Sequence, residues 1–312
     1  MVSLADIKDA HERIEPYIHR TPILTSATLD QMSEATMFFK CENFQKAGAF
    51  KARGATNAIL SLSDEDAKRG VATVSSGNHG AALAKAAQIR GIPVTVIMPY
   101  NSAKIKFEAV KSYGAEIITC EPDQISRESA LQEYVSKTDV AVIHPYNDER
   151  IIAGQGTAGL ELMEGQPELD AVISPVSGGG LLSGTALAVK GMNSNTDVFG
   201  AEPEGADDTF LSMKAGEIVP NKRVDTIADG LRSQIGILTF PIIQRMVTGI
   251  ITVTDAEIID AMELIWERMK ILVEPSGAIS LAAVLKEKSL FQRKKVGIIL
   301  SGGNVDLFTL PF

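Results

Sequence analysis

Three short runs in this chain share one design, in which an apolar stretch stops and a Ser/Gly turn follows. They are Val74-Ser75-Ser76-Gly77-Asn78-His79-Gly80, Val176-Ser177-Gly178-Gly179-Gly180-Leu181 and Leu300-Ser301-Gly302-Gly303-Asn304. Glycine lets a backbone approach a ligand closely. Where such a turn opens a helix, unpaired N–H groups and the helix dipole favour an anion. The first two runs lead into helix-forming sequence and the third presents a hydroxyl. Each alone is equally well a tight turn, but together they suit a small ligand carrying more than one anionic group. Lys51 is the second feature. In Gly48-Ala49-Phe50-Lys51-Ala52-Arg53-Gly54 it follows an apolar stretch and opens a helical run over 52–60. Most lysines are solvated surface charges, whereas a desolvated one has a lowered pKa and can form a Schiff base.

Two further patterns need weighing. Gly154-Gln155-Gly156-Thr157-Ala158-Gly159 satisfies G-x-G-x-x-G. No strand leads directly into it and no acidic residue ends a second strand, so it reads as a close-packed helix start rather than a dinucleotide site. Glu202-Pro203-Glu204-Gly205-Ala206-Asp207-Asp208 offers two carboxylates and a backbone carbonyl, hard ligands for Mg²⁺ or Ca²⁺. On spacing alone, a solvated acidic turn is the stronger alternative.

Parallel strands must position these groups. Val- and Ile-rich runs at 71–74, 93–98, 116–120, 141–144, 171–176, 198–201, 250–254 and 296–300 alternate with helical stretches, which predicts an α/β fold. In such a sheet, ligands bind beyond the carboxyl ends of the strands. The 312 residues suggest about two domains. Polar crossings at 61–70 and 146–150 make 70–147 a small inserted unit, with 1–69 and 148–312 forming the large one. A net charge of -9 with 5% aromatics argues against nucleic-acid binding. Apolar runs are strand-sized, which argues against a membrane span. Cys41 and Cys120 match no zinc or disulfide pattern and read as reduced thiols, so a cytoplasmic protein is expected.

The Lys51 segment resembles the pyridoxal-phosphate attachment site of the serine/threonine dehydratases, the fold-type-II pyridoxal enzymes. The 75–80 run, Ala153-Gly154-Gln155-Gly156-Thr157, the 177–181 turn, Thr226-Ile227-Ala228-Asp229-Gly230, Glu274-Pro275 and the 301–306 run are similar to that family in order and spacing. The likeness spans about residues 5–306 and is greatest to the serine racemase and threo-3-hydroxyaspartate dehydratase branch. It implies a tryptophan synthase β-like fold of two open twisted sheets flanked by helices, with residues 70–147 gating the substrate.

The resemblance also implies residue roles. Lys51 would hold pyridoxal 5'-phosphate as a Schiff base and act as base at the substrate Cα. Phe50 would pack on the ring, Asn78 would bond the ring hydroxyl, and Ser301 would bond the ring nitrogen. Ser177, Gly178, Gly179, Gly180 and Leu181 would cradle the phosphate, with Ser177 replacing the family's usual Gly. Ser75, Ser76, Asn78 and His79 would bind the substrate carboxylate, though His79 equally suits a packed position. Ser76 matches the racemase serine on the face opposite the lysine. Arg127 matches a substrate-contacting arginine. Glu202, the Ala206 carbonyl and Asp208 would bind Mg²⁺, Ca²⁺ or Mn²⁺. Tyr113, Lys270 and Asn304 match the branch's nucleotide site, but Ala27, Ala47 and Ala81 replace its polar residues and argue against ATP activation. The implied function is β-elimination from serine, threonine or threo-3-hydroxyaspartate, giving a 2-oxo acid and ammonia. Serine racemisation is a side activity or the primary one. A homodimer acting on a small amino acid is expected. A non-catalytic amino-acid-binding protein on the same fold is the competing class.

Overall fold

A computed structural model describes residues 2–75, 77–102 and 104–312. Among them, ten strands run in chain order as β1 (Ile23–Leu24), β2 (Thr36–Cys41), β3 (Val71–Val74), β4 (Val94–Pro99), β5 (Glu116–Cys120), β6 (Ala141–Val142), β7 (Ala171–Pro175), β8 (Asp197–Pro203), β9 (Gly249–Val253) and β10 (Lys295–Leu300). They form two open sheets, of order β1-β2-β10-β7-β8-β9 and β5-β4-β3-β6. Only β1 runs antiparallel to its neighbour; the other pairings are parallel. Helices cover both faces. β7 is buried along its whole length and β10 from Val296 onward, which is why these strands read as unbroken apolar runs. The four-stranded sheet comes from one stretch of chain, between β2 and β7 in sequence.

β1 and β2 lie where the sequence reading placed no strand. In β2, Met37 and Phe39 are buried, but Lys40 interrupts the apolar pattern. Lys40 stays inside because its Nζ donates to Glu161 at 2.6 Å and to the Thr21 carbonyl at 2.7 Å. β6 stops after two residues. The helix expected over 256–270 runs from Asp255 to Leu264 and continues as a π-turn over Ile265–Met269, ending at Lys270 in the left-handed region. Its Thr254–Glu257 capping box is formed.

The G-x-G-x-x-G run lies inside the Glu149–Gly165 helix. A Cβ on Gly154 would come within 2.6 Å of the Gly54 Cα, and one on Gly159 within 3.1 Å of the Thr185 Cα. These glycines let the Glu149–Gly165 helix touch the Lys51–Leu60 and Gly180–Met192 helices backbone to backbone. They serve helix packing.

Candidate active site

The three Ser/Gly turns all sit at carboxyl ends of parallel strands: β3, β7 and β10. β7 and β10 are neighbours in the large sheet, while β3 belongs to the small one. One cavity opens between these ends. Phe50, Lys51, Ser75, Asn78 and His79 line it, together with Arg127, the 177–181 turn and Ser301. Ser76 lies outside the described residues. Glu202, Ala206 and Asp208 are buried elsewhere, between β8 and the Asp208–Ala215 helix.

Lys51 is the first residue of its helix. The Phe50 N–H donates to the Ser301 carbonyl at 3.0 Å, and Ala49 bridges to Gly302. Segments far apart in sequence are thereby stitched together. The Lys51 Nζ donates to the Pro145 carbonyl at 2.9 Å. Desolvation lowers its pKa from 10.5 to about 8. The 177–181 turn has the form of an anion cradle. Gly179 is left-handed at φ +88°, and the Gly180–Met192 helix starts without a side-chain cap, which leaves its first N–H groups uncapped where residues 177–181 line the cavity. A Cβ on Gly178 would run into the Tyr146 ring, so both the turn and its covering aromatic require glycine. Ser177 Oγ accepts from the Ser233 N–H at 2.9 Å and donates to the Ser233 carbonyl at 3.0 Å. A desolvated amine, a capless helix start and a buried Ser301 hydroxyl together fit the ring, phosphate and amine-reactive carbonyl of pyridoxal phosphate.

The first turn is more committed than expected. Ser75 Oγ accepts N–H groups from Gly80 at 2.9 Å and Gly77 at 3.2 Å. Asn78 donates to Glu274 at 2.7 Å and accepts from Asn304 at 3.0 Å. His79 is buried, its Nε2 donating to the Ile143 carbonyl at 3.3 Å. Burial pushes its pKa down to about 3, so it is neutral and packed. The Arg127 Nε is buried with no hydrogen-bond partner, and the side chain borders both this cavity and the outer cleft. Arg232, in the outer cleft, spends its guanidinium on the Thr226 carbonyl, at 3.1 and 2.6 Å.

Several lining residues carried no role in the sequence reading. Lys106 donates to Asp229 across the gap between the sheets. Tyr146 covers the 177–181 turn and meets His144 edge-on at 4.5 Å. Glu274 is buried, and desolvation raises its pKa to about 7, with Lys106 opposing and Asp229 adding to the rise. This makes stability pH-dependent. A carboxyl whose native value is raised is most favourable when protonated, so its contribution falls as pH rises from about 4.5 through 7. In protein freed of cofactor, Glu274→Gln is expected to flatten that fall, gaining on the order of 3 kcal/mol over the parent by pH 8. Parallel melting curves for the two proteins between pH 5 and 8 are incompatible with this assignment.

The buried carboxylates near β8 face hydrogen-bond donors. Glu202 accepts from the Thr209 and Phe210 N–H groups at 3.1 and 2.8 Å. Asp208 accepts from Asn221 and from the Ile235 N–H, both at 2.7 Å. Desolvation raises Glu202 to about 8 and Asp208 to about 6. Among the described residues, no group of three or more His, Cys, Asp and Glu side chains assembles around a metal position, and no helix is long and apolar enough to cross a membrane.

Comparison with known proteins agrees with this geometry. The profile of the family described as "Pyridoxal-phosphate dependent enzyme" matches residues 14–302. A serine racemase from Dictyostelium discoideum is 51% identical, over 99% of this chain and 97% of that protein. A beta-hydroxyaspartate dehydratase from Paracoccus denitrificans is 49% identical, over 98% of each. The solved structure of maize serine racemase superposes with a TM-score of 0.97 at 48% identity, covering 99% of this chain and 95% of that one.

Proposed function

The chain belongs to the pyridoxal-phosphate-dependent enzyme family, in the fold-type-II lyase and racemase class, and within it we propose that its main activity is serine racemisation. Elimination of water from a 3-hydroxy amino acid is the second outcome at the same site. The observation carrying this reading is the desolvated Lys51 amine in a cavity shared by an anion cradle and the β3 turn. When bound, pyridoxal phosphate draws electron density from the substrate Cα and makes its proton acidic. Lys51 holds the cofactor and moves that proton at Nζ. Residues 177–181 would hold the phosphate and Phe50 would pack on the ring, and the Ser301 hydroxyl, which donates to the Ser276 carbonyl at 3.1 Å, would turn to bond its nitrogen. A hydroxyl at Ser301 would pair with the ring nitrogen without charging it as a carboxylate could, which would suit loss of a β-hydroxyl as the second outcome. Ser76 is assigned the second proton, and the substrate carboxylate is assigned to the backbone N–H groups of the β3 turn, because the Ser75 and Asn78 side chains are held within the protein. Residues 70–147 act as the substrate-gating unit, since they supply that turn and Arg127. Incubation with L-serine tests the proposal, with D-serine and 2-oxo acid measured side by side. A protein that releases 2-oxo acid but never forms D-serine is a dehydratase only.

A second reading is dehydration of threo-3-hydroxyaspartate as the principal reaction. The unpartnered Arg127 Nε favours it, because a dicarboxylic substrate supplies the missing acceptor. The relative from Paracoccus denitrificans is named for that substrate.

A divalent cation, Mg²⁺, Ca²⁺ or Mn²⁺, is assigned to Glu202, the Ala206 carbonyl and Asp208. Two buried carboxylates that desolvation drives toward protonation gain most from a cation, and water would complete an oxygen shell. A chelator is expected to lower the melting temperature by roughly 5 °C, with Mg²⁺ or Ca²⁺ restoring it. A chelator that leaves the melting curve in place removes the cation from this reading. Two free cysteines suit a reducing, cytoplasmic setting. The homodimer is checked by sedimentation.

A further inference from the structure

Two residues beyond Lys51, Arg53 is fully buried and enters the cavity nowhere. Two positions along a helix are about 200° apart around its axis, so Arg53 points away from the cavity as Lys51 points in. Its guanidinium has five N–H donors in a rigid fork, and each finds an acceptor. Nε and Nη2 reach Glu42 at 2.7 and 2.8 Å. Nη1 and Nη2 reach Glu161 at 2.8 and 2.9 Å. Nη1 also reaches Thr157 Oγ1 at 3.1 Å. Lys40 joins Glu161 from β2 at 2.6 Å, and Thr21 donates to Glu42 at 2.5 Å. His11 stands 3.8 Å from Glu161. Two cations and two anions thus form a closed, neutral cluster with almost no solvent contact.

Stability does not account for such a cluster. Four buried charges replaced by apolar side chains of similar volume commonly leave a fold as stable or more so. Direction is what a bidentate fork adds over apolar packing. Glu42 follows β2 and Glu161 belongs to the Glu149–Gly165 helix, so the fork ties the first turn of the Lys51 helix to two elements at once. The Gly54–Gly154 contact beside it fixes the distance between the helices but not their rotation. Rotation matters greatly here. An amine about 8 Å from a helix axis moves about 1.4 Å for each 10° of turn, and a misplacement of about 1 Å can cost about 10²-fold in rate.

We infer that Arg53 is a positioning residue for Lys51: its guanidinium, clamped by Glu42 and Glu161, sets the rotation of the Lys51–Leu60 helix and hence the line along which the lysine amine enters the cavity. This rests on the reading that Lys51 carries the cofactor. The test uses the holoenzyme with Arg53→Lys, which keeps the charge and loses the fork. The variant is expected to lose about 10- to 10²-fold in kcat with serine, with KM little changed. The midpoint of the pH titration of the cofactor's absorbance should shift as well. Unaltered kcat and titration midpoint overturn the inference, even if the melting temperature falls. Should Arg53→Lys fail to fold, Thr157→Val removes a single acceptor and should move kcat and midpoint the same way by a smaller amount; no movement in either again overturns it. Wild-type protein lacking the cofactor band removes the reading of Lys51 and this inference together. A wild-type band that neither variant disturbs removes only the role of Arg53.

Discussion

Lys51→Ala is expected to lose the cofactor absorbance near ~410 nm and to turn over serine at least about 10⁴-fold more slowly. The size follows from two roles resting on one nitrogen. On the proposed reading the amine would both attach the cofactor and exchange the Cα proton, and an acid–base group alone is worth about 10²–10⁴. Burial equips it for both, because a pKa near 8 in place of 10.5 leaves a substantial neutral fraction at mildly alkaline pH. A neutral amine can attack a carbonyl and accept a proton; an ammonium can do neither. Spectra after extensive dialysis, with rates of D-serine and 2-oxo acid formation, measure the outcome. A variant that keeps the band and half its activity is inconsistent with Lys51 in either role. The same spectrum separates an enzyme from an amino-acid-binding protein on this fold, which would bind serine equally well with alanine at this position.

The second large effect concerns a substrate's far end. Arg127→Ala is expected to raise KM for threo-3-hydroxyaspartate by roughly 10- to 100-fold, the worth of a hydrogen bond to a charged group. KM for serine should stay nearly constant, since serine has no second carboxylate. The assignment turns on which arginine is free to act. Arg232 is held by the Thr226 carbonyl, whereas the buried Arg127 Nε has no hydrogen-bond partner. Steady-state kinetics with both substrates decides it. An equal loss for serine and hydroxyaspartate would mean that Arg127 supports the site generally and does not read the second carboxylate. A loss confined to Arg232→Ala would move the role there.

Much of this site could be read from the chain because its groups are local. Lys51 and the turns at 75–80, 177–181 and 301–304 are contiguous runs whose chemistry follows from composition and from the strand ahead of each. The α/β class was legible for the same reason, since buried parallel strands leave unbroken apolar runs. What stayed hidden depends on pairs distant in sequence. Lys106 and Asp229 meet across the gap between two sheets, and nothing near either predicts the other. Tyr146 reveals its place only when the Gly178 backbone is found beneath its ring. β2 was obscured by Lys40, a charge that belongs inside only because Glu161 is there. Glu274 sat in a segment that resembles the family, yet its role depends on burial. The Ser75, Asn78 and His79 side chains looked free to meet a ligand. In the structure, His79 is packed, Ser75 closes the start of its own helix, and Asn78 bridges Glu274 to Asn304.

The position of β10 has a consequence for how the chain is made. This strand is near the end of the sequence, yet it sits between β2 and β7 at the middle of the large sheet. Synthesis runs from the amino end, and domains with local pairings fold as they emerge. The small sheet, drawn from one continuous stretch, can close early. The large sheet cannot, because the β1–β2 pair must wait for β10, some 250 residues later, before it joins β7. Such long-range pairing is slow and leaves strand edges exposed in the interval. The Lys51 segment shares that wait, since Phe50 and Ala49 are pinned by Ser301 and Gly302 just beyond β10. The cavity around Lys51 is therefore completed only after β10 is in place, late in synthesis.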